Sequence, residues 1–191
     1  MKTSLRLAAL AAVALVSLPA YADMTVKSSD GSMELALPNG WHDVKPDGTS
    51  TKIAATDGKG SRVVVRVYPK DDFKDVKALA DFAVNKLKLS DNDGVKTEDI
   101  QIGGKPAIRI SVVGTASNEM RAGYLITILE GESTYVEIMG RTDASSFAKE
   151  TPVFGNFATA LKIVPTSASA AAPAPTPAVE AKPAKPVPPK Q

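Results

Sequence analysis

Apolar and polar residues alternate with a period of two through most of this 191-residue chain. The stretches 63–67 and 108–112 show it most clearly, because every second residue in them is valine or isoleucine. Successive side chains of a β-strand point to opposite faces of a sheet, so this spacing predicts strands. Glycine-containing turns at 57–60 and 103–104 join neighbouring strands closely, which favours antiparallel pairing. The alternation therefore predicts an antiparallel sheet.

Two segments replace this alternation with helical spacing. Residues 72–89 carry apolar side chains three and four positions apart, and Asp72 is placed to cap the first turn. Residues 147–161 contain Pro152, which predicts a helix whose main part begins with Thr151 as its N-cap. The predicted order is a strand pair, a break before a tryptophan, a hairpin, a helix, four antiparallel strands and a final helix. This order predicts an α+β fold, an antiparallel β-sheet flanked by helices.

The first 22 residues have the pattern of a cleavable export signal. Lys2 and Arg6 precede an apolar run at 7–18, and Ala20 and Ala22 are the small residues that a signal peptidase recognises. The run is shorter than the roughly 20 apolar residues that span a bilayer as a helix. Because no cysteine follows Ala22, a lipid anchor on that position is excluded. We expect cleavage after Ala22 and a periplasmic or secreted mature protein without a transmembrane segment.

The composition changes again at Pro165. Residues 165–191 are almost entirely Pro, Ala, Thr, Ser, Val and Lys, with Glu180 as their one acid. Such a segment buries too little apolar surface to offset the entropy of ordering it, which predicts a disordered tail that tethers or spaces the domain. The folded unit is then 23–164. The chain has 23 basic residues, of which five lie in the two ends and 18 in the folded unit. It has 21 acidic residues, of which one lies in the ends and 20 in the folded unit. This slightly acidic balance predicts no nucleic-acid partner.

The chain has no cysteine and a single histidine, His42. Thiol catalysis, cysteine metal sites and thiol redox chemistry are excluded, and so is a zinc site built from several histidines of one chain. A histidine-dependent catalytic triad would require His42 itself. The folded region contains no Gly-x-Ser-x-Gly elbow. We therefore predict no catalytic residues, no metal and no cofactor.

Short motifs in a fixed order resemble a known family. Residues 33–41 read Met-Glu-Leu-Ala-Leu-Pro-Asn-Gly-Trp, a strand followed by Pro-x-Gly-Trp, and a hairpin and a helix come next. Residues 102–107 read Ile-Gly-Gly-Lys-Pro-Ala at the entry to a strand, and a hairpin at 124–137 and a final helix and strand complete the order. Over about 24–164 the chain resembles the PsbP/Mog1/DcrB-like superfamily.

This resemblance implies an α/β/α sandwich around an antiparallel sheet, in an exported bacterial member of the superfamily. Members are largely binding or accessory proteins: extrinsic photosystem subunits, a small-GTPase-binding factor and bacterial envelope proteins. They share no catalytic motif, so the resemblance transfers no functional residue to this chain.

Four charged residues are candidates for a ligand-binding surface. Arg66, Arg109, Glu137 and Arg141 occupy strand positions that alternate away from the most apolar face, so neighbouring strands would bring several together. Arginine binds carboxylate or phosphate through a fork of donors. In the alternative interpretation, Glu137 pairs with one arginine and the others are solvated.

Trp41, beside His42, is the fifth candidate. Together they could form a recognition edge. Alternatively, Trp41 closes the end of the sheet and His42 is an exposed loop residue.

These features favour a non-enzymatic exported protein of the cell envelope that binds an unidentified partner. The alternative is a carrier or sensor of a small ligand, such as an anion, using the arginine-bearing sheet face or a cleft between helix and sheet. An enzyme such as a hydrolase is less favoured, because it would need carboxylates brought together by the fold. The oligomeric state stays open.

Overall fold

The computed structural model describes residues 24–164. The predicted signal peptide, residues 1–22, and the predicted tail, residues 165–191, lie outside the described residues. Within residues 24–164 no helix is long and apolar enough to cross a membrane.

Ten strands and two α-helices make up the described part of the chain. The strands are β1 (Met24–Lys27), β2 (Met33–Leu37), β3 (His42–Asp43), β4 (Thr51–Thr56), β5 (Arg62–Pro69), β6 (Lys96–Ile102), β7 (Lys105–Thr115), β8 (Arg121–Glu130), β9 (Thr134–Asp143) and β10 (Leu161–Ile163). The helices are α1 (Val76–Lys86) and α2 (Phe147–Ala160), preceded by 3₁₀ turns at Lys70–Asp72 and Ala144–Ser146.

The strands form two antiparallel sheets. The large sheet has seven strands in the order β3-β4-β5-β9-β8-β7-β6, and the small sheet has three in the order β1-β2-β10. Strand β10 pairs with β2, so both ends of the described chain lie in the small sheet. The predicted antiparallel α+β fold is confirmed, with the first two strands and the last one separated from the main sheet.

Both faces of the large sheet are covered. Helix α2 and the small sheet pack on the face that carries Val63, Val65, Leu125 and Ile138, which we call the α2 face. Helix α1 packs on the opposite face, the α1 face, over a layer of four isoleucines: Ile108, Ile110, Ile126 and Ile128. The sheet is therefore buried between two layers, as the sandwich architecture requires.

Helix α1 is shorter than the helix that the helical spacing over residues 72–89 predicts. Its N-cap is Asp75, whose carboxylate accepts a hydrogen bond from the Ala78 N–H at 2.8 Å. The prediction of Asp72 as the cap was wrong because residues 70–72 form a separate 3₁₀ turn. Lys88, at φ 50°, takes the left-handed conformation just after the helix ends.

Helix α2 runs continuously through Pro152. The predicted start at Thr151 was wrong, and the Thr151 hydroxyl instead donates to the Phe147 carbonyl one turn earlier, at 2.7 Å. Proline here removes one backbone hydrogen bond near the start of the helix. Phe147 before this position and Phe154 and Phe157 after it all pack against the core, which holds the helix on both sides of the proline.

Glycines in the large sheet let α2 approach closely. A Cβ on Gly140 of β9 would lie 2.2 Å from the Phe154 ring, and one on Gly123 of β8 would lie 2.3 Å from the Phe147 ring. These two positions therefore need glycine for packing and not for a turn.

Candidate functional site

The register of the large sheet places three of the four charged candidates on the α1 face. Arg66 lies directly opposite Glu137 across β5 and β9, and Arg141 lies further along β9 on the same face. Arg109 points to the α2 face, where its guanidinium lies next to Gly155 of α2. The strand pairing therefore brings together three of the four candidates, and Arg109 lies apart from them on the opposite face.

Trp41 is a core residue. It is 8% exposed, and its ring contacts Phe157 and Phe154 edge-on, with centroids 4.9 and 6.4 Å apart. His42 is exposed and pairs with Thr56 at the edge of the large sheet. The geometry agrees with the interpretation in which Trp41 closes the end of the core.

A cleft opens on the α1 face beside the area that α1 covers. It has a volume of about 150 Å³, and we call it the arginine cleft. Its lining residues are Asp47, Thr51, Arg62, Val64, Arg66, Met139 and Arg141. Arg62 was not among the sequence candidates. Alternation placed it on the same face of its strand as Arg66, but only the register shows that it lies opposite Arg141.

Two of the three arginines are paired with carboxylates. Arg66 donates to Glu137, which is 1% exposed. Arg62 donates from Nη2 to Asp47 at 2.7 Å, and the Asp47 side chain is 78% exposed. Arg141 forms no ion pair with any residue of 24–164. The cleft therefore holds one buried ion pair, one exposed ion pair and one arginine that no carboxylate within 24–164 neutralises.

Arg62 and Arg141 form a like-charged pair across two strands. Side chains directly opposite each other in an antiparallel sheet have Cβ atoms about 4.5–5.5 Å apart, and like charges there are destabilising. Asp47 neutralises one member of the pair. An anion placed between the two guanidiniums would relieve the remaining repulsion.

Tyr68 lies next to the buried ion pair on the same face of β5. Burial is the main cause that raises the pKa of Tyr68 to about 12, and the negative charge of Glu137 adds to it while Arg66 opposes it. The hydroxyl is therefore protonated at physiological pH. Tyr68 Oη and Glu137 Oε2 are both buried.

The groups lining the cleft are suited to binding. Guanidiniums stay charged and donate hydrogen bonds, but they do not exchange protons near neutral pH. Thr51 is the one hydroxyl-bearing residue of the lining. It is buried, and no histidine lines the cleft beside it. In the described part of the chain no group of three or more His, Cys, Asp or Glu residues could hold a metal ion. The arrangement can hold an anion through several charge-assisted hydrogen bonds.

No protein-family model and no curated protein matches the chain. The fold matches that of CyanoP, the cyanobacterial PsbP of Synechocystis sp. PCC 6803, with a TM-score of 0.53 and 13% identity, over 74% of this chain and 92% of that one. LpqN of Mycobacterium tuberculosis, described as involved in cell envelope biogenesis, matches with a TM-score of 0.51 and 12% identity, over 74% and 90%.

A protein of Bacteroides thetaiotaomicron VPI-5482 also matches, with a TM-score of 0.51 and 10% identity, over 73% of this chain and 48% of that one. This chain therefore spans about half of that relative. At such identities the likeness establishes the fold, which is PsbP-like, as the sequence motifs implied.

Proposed function

We propose that the chain is a non-enzymatic binding or accessory protein, exported to the cell envelope, and that it binds an anionic group in the arginine cleft. The observation that carries the proposal is Arg141, which lines the cleft directly opposite a second arginine and has no acidic partner within 24–164. Arginine is the side chain best suited to hold carboxylate or phosphate oxygens in a fixed geometry.

The location of the cleft supports this role. Helix α1 covers the isoleucine layer and leaves the neighbouring part of the same sheet face open. The site thus sits on paired strands, which position side chains more rigidly than loops do. The export signal predicted for residues 1–22 and the envelope role stated for LpqN, which has the same fold, both favour an envelope location.

Anion binding to the mature chain, residues 23–191, tests the proposal. Titration calorimetry with acetate, succinate, sulfate and phosphate at constant ionic strength would measure the affinity of each. We expect at least one of them to bind, and Arg141→Gln to weaken it by about tenfold or more, which corresponds to 1.4 kcal/mol. Arg141→Lys keeps the charge but loses the fork, so its affinity should be intermediate.

Arg109→Gln is the matched control, because it removes an arginine from the same sheet on the opposite face. It should leave the affinity unchanged. The proposal is wrong if no anion binds at millimolar concentration, or if the Arg109 and Arg141 variants lose affinity equally while both remain folded by circular dichroism.

A further inference from the structure

We infer that the anionic group held by the arginine cleft is a phosphomonoester dianion, and that it enters by displacing Asp47 from Arg62. This inference rests on the proposed function and names the chemistry of the same site. It depends on the size of the cleft, on its charge, and on the way Asp47 occupies one edge of the Arg62 guanidinium.

The size of the cleft limits the ligand to one small group. The cleft has a volume of about 150 Å³. Pockets for whole drug-sized ligands are larger, about 300–1,000 Å³. The cleft therefore accommodates a single anionic group, and the rest of a larger ligand would remain outside.

The charge of the cleft matches a dianion once Asp47 has moved away. Three arginines contribute three positive charges, and Glu137 beneath them neutralises one through its pair with Arg66. Asp47 neutralises a second, so its departure leaves two positive charges for the ligand. A phosphomonoester carries about −1.5 to −2 near pH 7, whereas a carboxylate carries −1.

His42 and Asp143 are further titratable groups on this face, besides Tyr68. His42 lies in the same cross-strand row as Arg62, two strands away, with Thr56 between them. Asp143 follows Arg141 by two residues on β9 and forms no ion pair with it among the described residues. Any pH-dependent effect of either group on the cleft would act on every anion bound there.

Asp47 binds Arg62 in a position from which a ligand could displace it. It belongs to the loop 44–50 between β3 and β4, and its carboxylate is largely exposed, so the ion pair with Arg62 is weak. It accepts from Nη2 alone, whereas Nε, the other donor on that edge of the guanidinium, is buried and has no partner within 24–164. A ligand with two oxygens directed at this edge would satisfy both donors.

The shape of phosphate fits three guanidiniums better than that of a carboxylate. A carboxylate offers its oxygens in one plane, whereas a phosphomonoester has three terminal oxygens pointing in different directions. Arg62 and Arg66 project from two positions of β5, Arg141 projects from β9, and all three line the cleft. Each could bind a different oxygen.

The test compares anions on the mature chain by calorimetry at constant ionic strength. Glycerol 3-phosphate and sulfate should bind at least tenfold more tightly than acetate at pH 7.5. At pH 5.5 glycerol 3-phosphate should weaken because its second proton returns with a pKa near 6. Sulfate remains a dianion throughout, so any effect of His42 or Asp143 would appear with sulfate as well.

Asp47→Asn tests the displacement directly. It should raise the affinity for glycerol 3-phosphate several-fold, while Asp71→Asn, which removes an exposed carboxylate beyond the other end of β5, should not. Vesicles containing phosphatidic acid, compared with phosphatidylglycerol vesicles and with free glycerol 3-phosphate, distinguish a lipid headgroup from a soluble source. Phosphatidic acid presents a monoester and phosphatidylglycerol a diester.

The outcomes separate this inference from the proposed function. If acetate binds as tightly as glycerol 3-phosphate and does so through Arg141, the cleft binds anions but the dianion inference is wrong. If Asp47→Asn leaves or lowers the affinity, the displacement is wrong. If no anion depends on Arg141, the proposed function itself fails.

Discussion

Glu137 brings a carboxylate into the interior of the large sheet, where only 1% of its side chain is exposed. It is the one charged residue among the buried side chains of residues 24–164. Removing an ionised carboxylate from water is costly unless a partner and hydrogen bonds compensate. Arg66, directly opposite on β5, supplies that compensation, so the floor of the arginine cleft depends on an intact ion pair.

This dependence predicts an asymmetry between single and double substitutions. Arg66→Met should lower the free energy of unfolding by about 3–5 kcal/mol, because it leaves the buried carboxylate unpaired. Arg66→Met combined with Glu137→Leu should recover most of that loss, since both charges are then absent. Urea denaturation followed by circular dichroism measures both values. Equal stability of the single and double variants would contradict the role given to the pair.

Alternation placed each of the four charged candidates on the less apolar side of its own strand, but it did not show that Arg109 lies on the opposite face of the sheet from the other three. The reason is that both faces of the large sheet are buried. The more apolar side of β5 points to α2, while the more apolar side of β7 points to α1. The pattern within one strand therefore does not determine on which face of the whole sheet its polar side chains lie. Register supplies that information, and register depends on pairings far apart in sequence.

At the scale of elements, the strands were predictable and the helix boundaries were not. Glycine turns and period-two spacing predicted a hairpin before the first helix, which is β4 and β5, and four antiparallel strands after it, which are β6 to β9. The start of α1 depended on a choice between Asp72 and Asp75, both plausible caps, and the 3₁₀ turn decided it. The continuity of α2 through Pro152 depended on tertiary packing of its phenylalanines, which local propensity does not include.

The contact between α2 and β9 predicts opposite effects for two glycine-to-alanine changes. Gly140→Ala should destabilise the protein by about 1–3 kcal/mol, because its Cβ would overlap the Phe154 ring unless the helix shifts. Gly155→Ala in α2 should stabilise it by about 0.5–1 kcal/mol, because alanine favours the helix. Its Cβ would lie 3.8 Å from Arg109 Nη2, an ordinary contact.

Thermal or urea unfolding of the two variants measures both effects under the same conditions. Because both substitutions add one methyl group at the same interface, each serves as the control for the other. If Gly140→Ala does not destabilise the protein, Gly140 is not needed for the close approach of α2. If Gly155→Ala destabilises it, the prediction for the helix position is wrong.

Across the whole molecule, the ends of the described chain and the arginine cleft lie on opposite sides of the large sheet. Strands β1 and β10 both belong to the small sheet, which packs on the α2 face, whereas the cleft opens on the α1 face. A tether attached through residues 165–191 would therefore leave the cleft facing away from the attachment. This arrangement suits a binding protein held at a surface, in agreement with the proposed function.

The predicted export signal ends before the first described strand begins. Cleavage after Ala22 would leave one residue, Asp23, before β1 begins at Met24, so processing would remove no part of a described strand. We expect the mature protein recovered from the cell envelope to begin at Asp23, as shown by intact mass and N-terminal sequencing. A mature protein that retains Met1 would contradict the signal.

Two variants of the signal make the test specific. Ala22→Arg places a large charged residue where the peptidase needs a small one, so the precursor should accumulate uncleaved in the membrane fraction. Tyr21→Arg introduces the same side chain one residue earlier, at a position that the recognition pattern leaves unrestricted, and should be processed normally. Equal processing of the two variants would mean that cleavage does not occur after Ala22. The N-terminal residue found by sequencing would then locate the true boundary of the mature chain.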